Sequence, residues 1–382
     1  MIMASTSNMN SLKAKYTQAV KQNTVGTLSK VDPYGFERGN DFDYKAFENF
    51  ESEYLAVLAR RTIKWDKMMK NGTKRKVKPD RVVKRFCRKG IPERYRARVW
   101  MDVSGARKKM KKSQKNFYQT LLEQPNQDAD FEEELTESIK TDLDRTFPDN
   151  IHFKNGIDSN KSKQKDLLNI LTAFGRHSPT IGYCQGMNYI AALLLIVVKD
   201  PEQCFWLLCA LIDDILPAYY TKSMIGLRAE MNVIDDLVRE KFPEVQQKMD
   251  VYKVPWTLVA SKWFVCLFVD VVPTEAWTVL RVWDCLFFEG SKVLIRAALC
   301  IIYNVKPAVL SCKGMPDVVQ TFKDVSKNSA ILDCHLFMQQ CFIETNPLTR
   351  ADLKKLREKN RKLIEEEDEK YSQKQRKSRP SR

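Results

Sequence analysis

Apolar residues recur every three or four positions along most of this chain, as they do on one face of a helix. This spacing predicts helices over residues 42–69, 95–103, 117–122, 131–145, 164–174, 187–198, 201–215 and 227–241. Alternating β-branched runs are nearly absent, and no Asn-Gly turn joins two such runs. The apolar run 263–272 could form a buried strand, but its neighbours favour a buried helix. The pattern therefore predicts an all-α fold.

The two ends of the chain differ from this helical middle. Residues 1–31 are rich in Ser, Asn, Thr and Lys and have little apolar periodicity, which predicts a flexible leader. Residues 32–87 are predicted to form a helical extension and a basic linker. In the segment 352–371, four apolar residues lie on one side of a highly charged helix, which we expect to pack on the domain. Residues 372–382 carry five basic residues and no acid, which predicts a disordered tail.

The formal net charge of +16 is concentrated in two segments. Residues 64–89 hold twelve Lys or Arg and two Asp, and residues 107–115 hold six Lys or Arg and no acid. Such segments attract nucleic acid, an anionic membrane or an acidic protein face, although a solvated basic surface gives the same pattern. We expect no nucleic-acid partner, because the basic runs carry few aromatic residues and no zinc-finger spacing is present. A peripheral contact with an anionic membrane stays open.

Composition limits the class of protein further. Hydrophobic residues make up 43% of the chain, which is enough to bury a core. The ten cysteines lie mostly in apolar segments without a C-x-x-C pair, and no signal-peptide stretch opens the chain, so we expect free thiols in a reducing compartment. None of the three histidines has metal-ligand spacing to a cysteine. The longest apolar run, 189–198, is too short to span a bilayer. We expect a cytoplasmic protein, with peripheral binding to endomembranes as an open alternative.

Residues 139–148 are the first segment that could carry chemistry. Asp142 and Arg145 are three residues apart and so share one helical surface. Pro148 disfavours helical geometry at Phe147, which predicts that the helix ends there. Arg145 would then lie on the last turn, where the helix dipole favours a cation and Asp142 can hold its side chain. An ordinary ion pair at the end of a helix explains the same pattern.

Residues 179–188 are the second such segment. Gly182 and Gly186 flank a Tyr-Cys-Gln triplet, so the backbone can turn tightly before the apolar helix that begins at Met187. Gln185 would lie beside a helix N-terminus, where free amide donors suit an anionic phosphate. The alternative is a packed turn in which Tyr183 and Gln185 satisfy only local hydrogen bonds.

Motifs for self-contained catalysis are missing from the sequence. It has no phosphate-binding loop, dinucleotide fingerprint, nucleophile elbow or H-E-x-x-H string. A thiol hydrolase that uses Cys184 with His177 as its base is one alternative, but no Asn or Asp that orients the histidine is identifiable.

The two polar segments resemble the I-x-x-D-x-x-R and Y-x-Q motifs of TBC domains, the GTPase-activating modules for Rab-family small GTPases. The R-x-G-x-P string at residues 88–92, followed by Arg96 and Trp100, resembles the opening block of that family. The R-x-W-D-x-x-x-x-E-G string at residues 281–290 resembles a later block. The resemblance covers residues 88–292, in the expected order. Residue 97 departs from it, because Ala97 stands where many members have Gly.

The resemblance implies a two-lobed helical TBC domain over residues 88–292, followed by C-terminal helices over residues 293–371. It also implies that Arg145 is an arginine finger and that Gln185 replaces the glutamine of the Rab in trans.

Three further residues have supporting roles by the same resemblance. Asp142 would orient the arginine, Ile139 would pack the helix that carries it, and Tyr183 would shape the glutamine loop.

The implied partner is a Rab-family GTPase in its GTP state, and the implied process is vesicle traffic. GTP and Mg²⁺ belong to that partner, so we expect the chain to need no cofactor of its own and not to be an enzyme itself. A non-catalytic adaptor with the same fold, which binds a Rab or a membrane, is the alternative. The presence of both Arg145 and Gln185 argues against it.

Overall fold

The computed structural model describes residues 30–40, 44–70, 77–154, 162–269, 271, 278–345 and 347–377, and the secondary structure of this part of the chain is helical. Two isolated β-bridges, Val31 to Glu37 and Phe36 to Asn150, are its only extended pairings among these residues. The all-α prediction is confirmed. The division into two lobes stays a prediction, and residues 1–29 of the predicted leader lie outside the described residues.

The described residues form eighteen α-helices. They are α1 (Tyr44–Lys70), α2 (Arg81–Lys89), α3 (Glu93–Val103), α4 (Ala106–Lys112), α5 (Phe117–Glu123), α6 (Ala129–Leu143), α7 (Gln164–His177), α8 (Met187–Val198), α9 (Pro201–Cys209), α10 (Ile225–Lys241), α11 (Pro243–Val251), α12 (Trp256–Val265), α13 (Thr278–Glu289), α14 (Lys292–Ser311), α15 (Met315–Lys323), α16 (Ser329–Leu332), α17 (Cys334–Ile343) and α18 (Arg350–Lys377). A π-helical turn, Ala210–Ile215, follows α9, and a 3₁₀ turn, Asp324–Lys327, follows α15.

Helix α8 lies at the centre of the first half of the fold. Every residue of α8 except Tyr189 is buried, and the helix packs against α7 and α9. In the second half, α10 packs against α12 and α18, and α13 packs against α2 and α14. A helix that is apolar on all sides is a core helix, so the turn just before α8 is held on a rigid base.

The buried Asp284 carboxylate links two of the sequence blocks. It accepts hydrogen bonds from the Ile91 N–H at 2.8 Å, from Trp100 Nε1 at 3.0 Å and from Arg96 Nε at 3.2 Å. Because a buried charge is tolerated only when it is paired and hydrogen-bonded, this carboxylate fixes the loop at residues 90–92 against α13.

The structure refines several predicted segments. The segment 201–215 is an α-helix that becomes a π-helical turn at Ala210. In the run 263–272, for which a buried helix is predicted, residues 263–265 end α12, and turns follow at Cys266 and Phe268. In the predicted basic linker that follows residue 69, residues 81–87 belong to α2, and residues 71–76 lie outside the described residues. Residues 372–377 continue α18 rather than starting a disordered tail, because Gln, Lys and Arg are strong helix formers.

Helix α14 is the one helix among the described residues that is long and apolar enough to cross a membrane. Its apolar window is 67% buried inside the protein, as expected of a core helix.

Candidate functional site

Helix α6 ends at Leu143, so Arg145 lies in the following turn and not on the last helical turn. The predicted end at Phe147 is wrong for a local reason. The Thr146 hydroxyl donates to the Asp142 carbonyl oxygen at 2.6 Å, and Phe147 has a left-handed φ of +51°, which a helix cannot accommodate. The Arg145 side chain consequently projects from a turn and is 51% exposed.

The Asp142 carboxylate joins the two sequence motifs. Its Oδ1 forms an ion pair with Arg145 Nη2, and its Oδ2 accepts a hydrogen bond from the Tyr183 hydroxyl. Burial and the neighbouring carboxylate raise the pKa of Tyr183, so this phenol stays protonated and donates. Ile139, one turn earlier on α6, is fully buried. The structure therefore brings Arg145, Asp142 and Tyr183 together, while their roles stay predictions.

Gln185 occupies the exposed turn just before α8. Its side chain makes no hydrogen bond within the part of the chain that the structure describes, so the packed-turn alternative does not account for it. The next residue, Gly186, has φ of +107°, and a Cβ there would lie 2.4 Å from Val265 Cγ1. Only glycine fits this position. The close approach of Gly186 to Val265 fixes the backbone beside Gln185 at the N-terminus of α8.

A buried amide that the sequence analysis missed connects the two turns. Asn188 is 0% exposed. Its Nδ2 donates to Thr146 Oγ1 at 2.8 Å, and its Oδ1 accepts the Gly186 N–H at 3.0 Å. One side chain thus ties the turn that carries Arg145 to the turn that carries Gln185. The signal in the sequence is an asparagine inside an apolar helix, which must find hydrogen-bond partners.

We expect Asn188→Ala to lower both the stability and the activating function of the protein. It leaves the Thr146 hydroxyl and the Gly186 N–H without this partner, at a cost of about 1–3 kcal/mol in the free energy of unfolding. Urea denaturation measures this cost, and GTP hydrolysis by a Rab measures the function. The matched control is Asn360→Ala, which removes another buried amide, one that bonds Asp236 and the Leu356 carbonyl. Equal kcat in the two variants would show that Asn188 only stabilises the fold.

The arrangement around Cys184 does not favour thiol chemistry. Burial raises the pKa of the Cys184 thiol, whereas a nucleophilic cysteine needs a lowered pKa. The His177 ring packs edge-on against the rings of Phe117 and Phe205, each with its centroid at 5.7 Å. The hydrolase alternative therefore has no support in this geometry.

No cluster of three or more His, Cys, Asp or Glu suited to a metal ion occurs among the described residues. The expectation that the chain needs no cofactor of its own stays a prediction.

Both polar motifs lie within the part of the chain that a known family model matches. The Rab-GTPase-TBC domain family (RabGAP-TBC) matches residues 93–310, and the chain belongs to this family. A Rab-family GTPase is therefore its partner. The predicted domain boundaries, 88 and 292, stay predictions.

Among individual proteins, the chain is similar to growth hormone-regulated TBC protein 1. It is 45% identical over 342 residues to the protein of that name from Xenopus tropicalis. The aligned residues cover 89% of this chain and 97% of the Xenopus protein. It is also 45% identical over 331 residues to the Homo sapiens protein, and these residues cover 87% of this chain and 95% of the human protein. The resemblance seen in the sequence is thus confirmed.

Solved structures show the same fold. The Chlamydomonas flagellar RabGAP TBC domain has a TM-score of 0.68 and 28% identity, over 82% of this chain and 99% of that one. The Ypt/Rab-GAP domain of Gyp1p, with a TM-score of 0.62 and 18% identity over 75% of this chain and 98% of that one, shows the fold alone.

The family corrects one expectation. The sequence analysis expects the chain not to be an enzyme, because GTP lies in the active site of the partner. That expectation is wrong, since the matching domain is a GTPase-activating domain and stimulation of GTP hydrolysis is a catalytic function conventionally classed as enzyme activity.

Proposed function

We propose that this protein accelerates GTP hydrolysis by a GTP-bound Rab, with Arg145 as an arginine finger and Gln185 as a glutamine supplied in trans. The observation that carries the proposal is the buried Asp142 carboxylate, which holds Arg145 from one motif and Tyr183 from the other. Arg145 and Gln185 are therefore both exposed on turns that a shared hydrogen-bond network connects.

The chemistry that Arg145 would supply is charge stabilisation. Negative charge develops on the transferring phosphoryl group, and an arginine from an activating protein accelerates hydrolysis by about 10³ to 10⁵, or roughly 4 to 7 kcal/mol. Asp142 engages one edge of the guanidinium, which leaves further N–H donors of the planar group for phosphoryl oxygens. Because Asp142 is itself held by Tyr183, Arg145 is oriented before the partner binds.

The chemistry that Gln185 would supply is orientation of the attacking water. A primary amide both donates and accepts hydrogen bonds, so it can hold a water and a phosphoryl oxygen together. The Gln185 amide is exposed, and its backbone is fixed by Gly186 and Asn188. GTP and Mg²⁺ would come with the Rab, and this chain would add no cofactor.

The cellular setting that we propose is the cytoplasm, with peripheral contact with an anionic membrane, and the process is vesicle traffic. Parts of the basic segments are neutralised within the fold. Lys109 pairs with Asp213 and Asp214, and Lys84 pairs with Glu289. Four exposed lysines on α4 or just after it have no ion-pair partner among the described residues, namely Lys108, Lys111, Lys112 and Lys115. Their positive charge is available to an acidic partner.

We expect the joint replacement of these four lysines by glutamine to raise KM for the Rab, or to weaken binding to anionic vesicles, without lowering kcat. The Debye length is about 8 Å at physiological salt, so the effect should be largest at low salt. Kinetics at two ionic strengths measure it. The matched control replaces four exposed lysines of α18, namely Lys354, Lys355, Lys362 and Lys370, where acidic neighbours offset the charge. A fall in kcat at unchanged KM would contradict the proposal.

Activation and mere binding are separated by one experiment. A panel of purified Rabs loaded with GTP is assayed for binding to this protein and for phosphate release. We expect at least one Rab to bind and to hydrolyse GTP faster. Binding without acceleration across the panel would replace the proposal with the adaptor alternative.

A further inference from the structure

A short N-terminal segment packs directly against the turn that carries Arg145. This segment, residues 31–38 and hereafter the N-terminal loop, precedes α1 and lies outside the matched family region, residues 93–310. Its V-D-P-Y-G-F-E-R sequence contains a buried aspartate and two buried aromatic residues. Nothing in the function proposed above accounts for it.

The N-terminal loop is a closed turn of defined shape. Asp32 is 5% exposed, and its Oδ1 accepts the N–H groups of Tyr34 and Phe36, both at 2.8 Å. The Asp32 N–H in turn donates to the Phe36 carbonyl oxygen at 2.9 Å. On the domain side, the Tyr34 hydroxyl accepts a hydrogen bond from Arg96 Nη1 at 2.8 Å. The loop is therefore ordered by its own bonds and fastened to α3.

Backbone hydrogen bonds connect this loop to the residues just after Arg145. The Glu37 N–H donates to the Asp149 carbonyl oxygen at 2.8 Å, and the Ile151 N–H donates to the Gly35 carbonyl oxygen at 2.9 Å. The fully buried Asn150 adds a third bond, from its Nδ2 to the Tyr34 carbonyl oxygen at 3.1 Å.

An aromatic contact of the N-terminal loop involves a residue even nearer to Arg145 in the sequence. The Phe36 ring meets the Phe147 ring edge-to-face, with the centroids 5.0 Å apart. Phe147 is two residues after Arg145 and has the left-handed φ of +51°, an unfavourable conformation for a bulky residue that persists only where packing enforces it. The Phe147 ring also contacts Tyr189 of α8, whose hydroxyl donates to the Arg145 carbonyl oxygen at 3.3 Å.

We propose that the N-terminal loop is a positioning element for the arginine finger, with Phe36 holding Phe147, and through it the Arg145 turn, in the catalytically productive shape. The inference rests on the proposed role of Arg145. It adds that the catalytic unit extends beyond the family domain to residue 31. Phe36 touches no reacting group, so its effect is indirect and acts on kcat rather than on recognition of the Rab.

The test compares Phe36→Ala with Phe242→Ala in the full chain. The two phenylalanines are equally buried, at 8% and 7% exposure, and Phe242 contacts Tyr303 in the second half of the fold. We expect Phe36→Ala to lower the stimulated kcat by about 10- to 100-fold with little change in KM, because small misplacement of a catalytic group has effects of this size. Phe242→Ala should keep kcat, and Phe36→Leu should recover much of the lost rate.

A second measurement does not depend on activity, and it compares exchange at one amide with exchange across the rest of the same folded variant. Hydrogen exchange at the Ile151 N–H, which is bonded to Gly35, reports directly on the contact. Phe36→Ala and Gly35→Ala should both accelerate it, since a Cβ on Gly35 would lie 2.8 Å from His152 Cδ2. Phe242→Ala should not.

The outcomes separate this inference from the proposed function. If Arg145→Ala retains full stimulation, the proposed function fails. If Arg145→Ala loses stimulation but Phe36→Ala lowers kcat no more than Phe242→Ala does, the positioning role of the N-terminal loop is overturned.

Discussion

Replacing Arg145 with alanine is expected to lower the stimulated GTP hydrolysis by the Rab by about 10³ to 10⁵ while the protein stays folded. Arg145 is 51% exposed but pairs with the buried Asp142 carboxylate, which in its absence keeps only the hydrogen bond from Tyr183. We therefore expect a lower melting temperature, with the protein still folded at the assay temperature. Arg145→Lys is expected to fail almost as badly, because an ammonium lacks the planar fork that spans two phosphoryl oxygens. Single-turnover hydrolysis at saturating protein measures both variants.

The control for this prediction is Arg239→Ala. Arg239 on α10 is also 50% exposed and pairs with Asp235 and Asp250, so the substitution removes a similar surface arginine away from the two motifs. It should leave hydrolysis unchanged. Substantial activity in Arg145→Lys would mean that Arg145 contributes only charge or structure and is not the finger.

The second large effect concerns Gln185 and the equivalent glutamine of the Rab. If Gln185 orients the water, a Rab that carries Gln→Leu at its own position should still be accelerated by this protein. Gln185→Ala should strongly reduce acceleration of the unmodified Rab. We expect this loss to be smaller than the Arg145 loss, because orienting a neutral water involves less charge than stabilising a phosphoryl group.

The experiment combines both Rab forms with both activator forms in single-turnover assays. Gln119→Ala, which alters an exposed glutamine of α5 that bonds Glu123, serves as the control and should be active. A Gln→Leu Rab that binds the protein but shows no acceleration would refute the trans-glutamine role. Gln185 would then only shape the turn before α8.

The sequence predicts helices well where apolar spacing is regular. The spacing predicts a helix over residues 187–198, and α8 spans the same residues because every residue there except Tyr189 is buried. The end of α6 was misplaced, since a proline rule cannot anticipate that the Thr146 hydroxyl and Phe147 end the helix earlier. Packing of Phe147 against Phe36, more than a hundred residues away in sequence, has no local signal.

The candidate site was predictable in part. Motif resemblance selects Arg145 and Gln185 as candidates, whereas the spacing of Asp142 and Arg145 by itself is explained by an ordinary helix-end ion pair. The contact from Tyr183 to Asp142 and the bridge through Asn188 join segments about forty residues apart, so they become visible only in the fold. The charge of residues 372–382 predicts a disordered tail, but residues 372–377 continue α18, because their side chains favour a helix; residues 378–382 lie outside the described residues.

The most direct test of the central claim is multiple-turnover GTP hydrolysis with this protein present far below the concentration of a GTP-loaded Rab. A catalytic activator should drive hydrolysis of all the GTP at a rate proportional to its own concentration, and Arg145→Ala should not. If the Rab that binds best shows phosphate release no faster with the wild-type protein than alone, the account of Arg145 and Gln185 as catalytic fingers is contradicted.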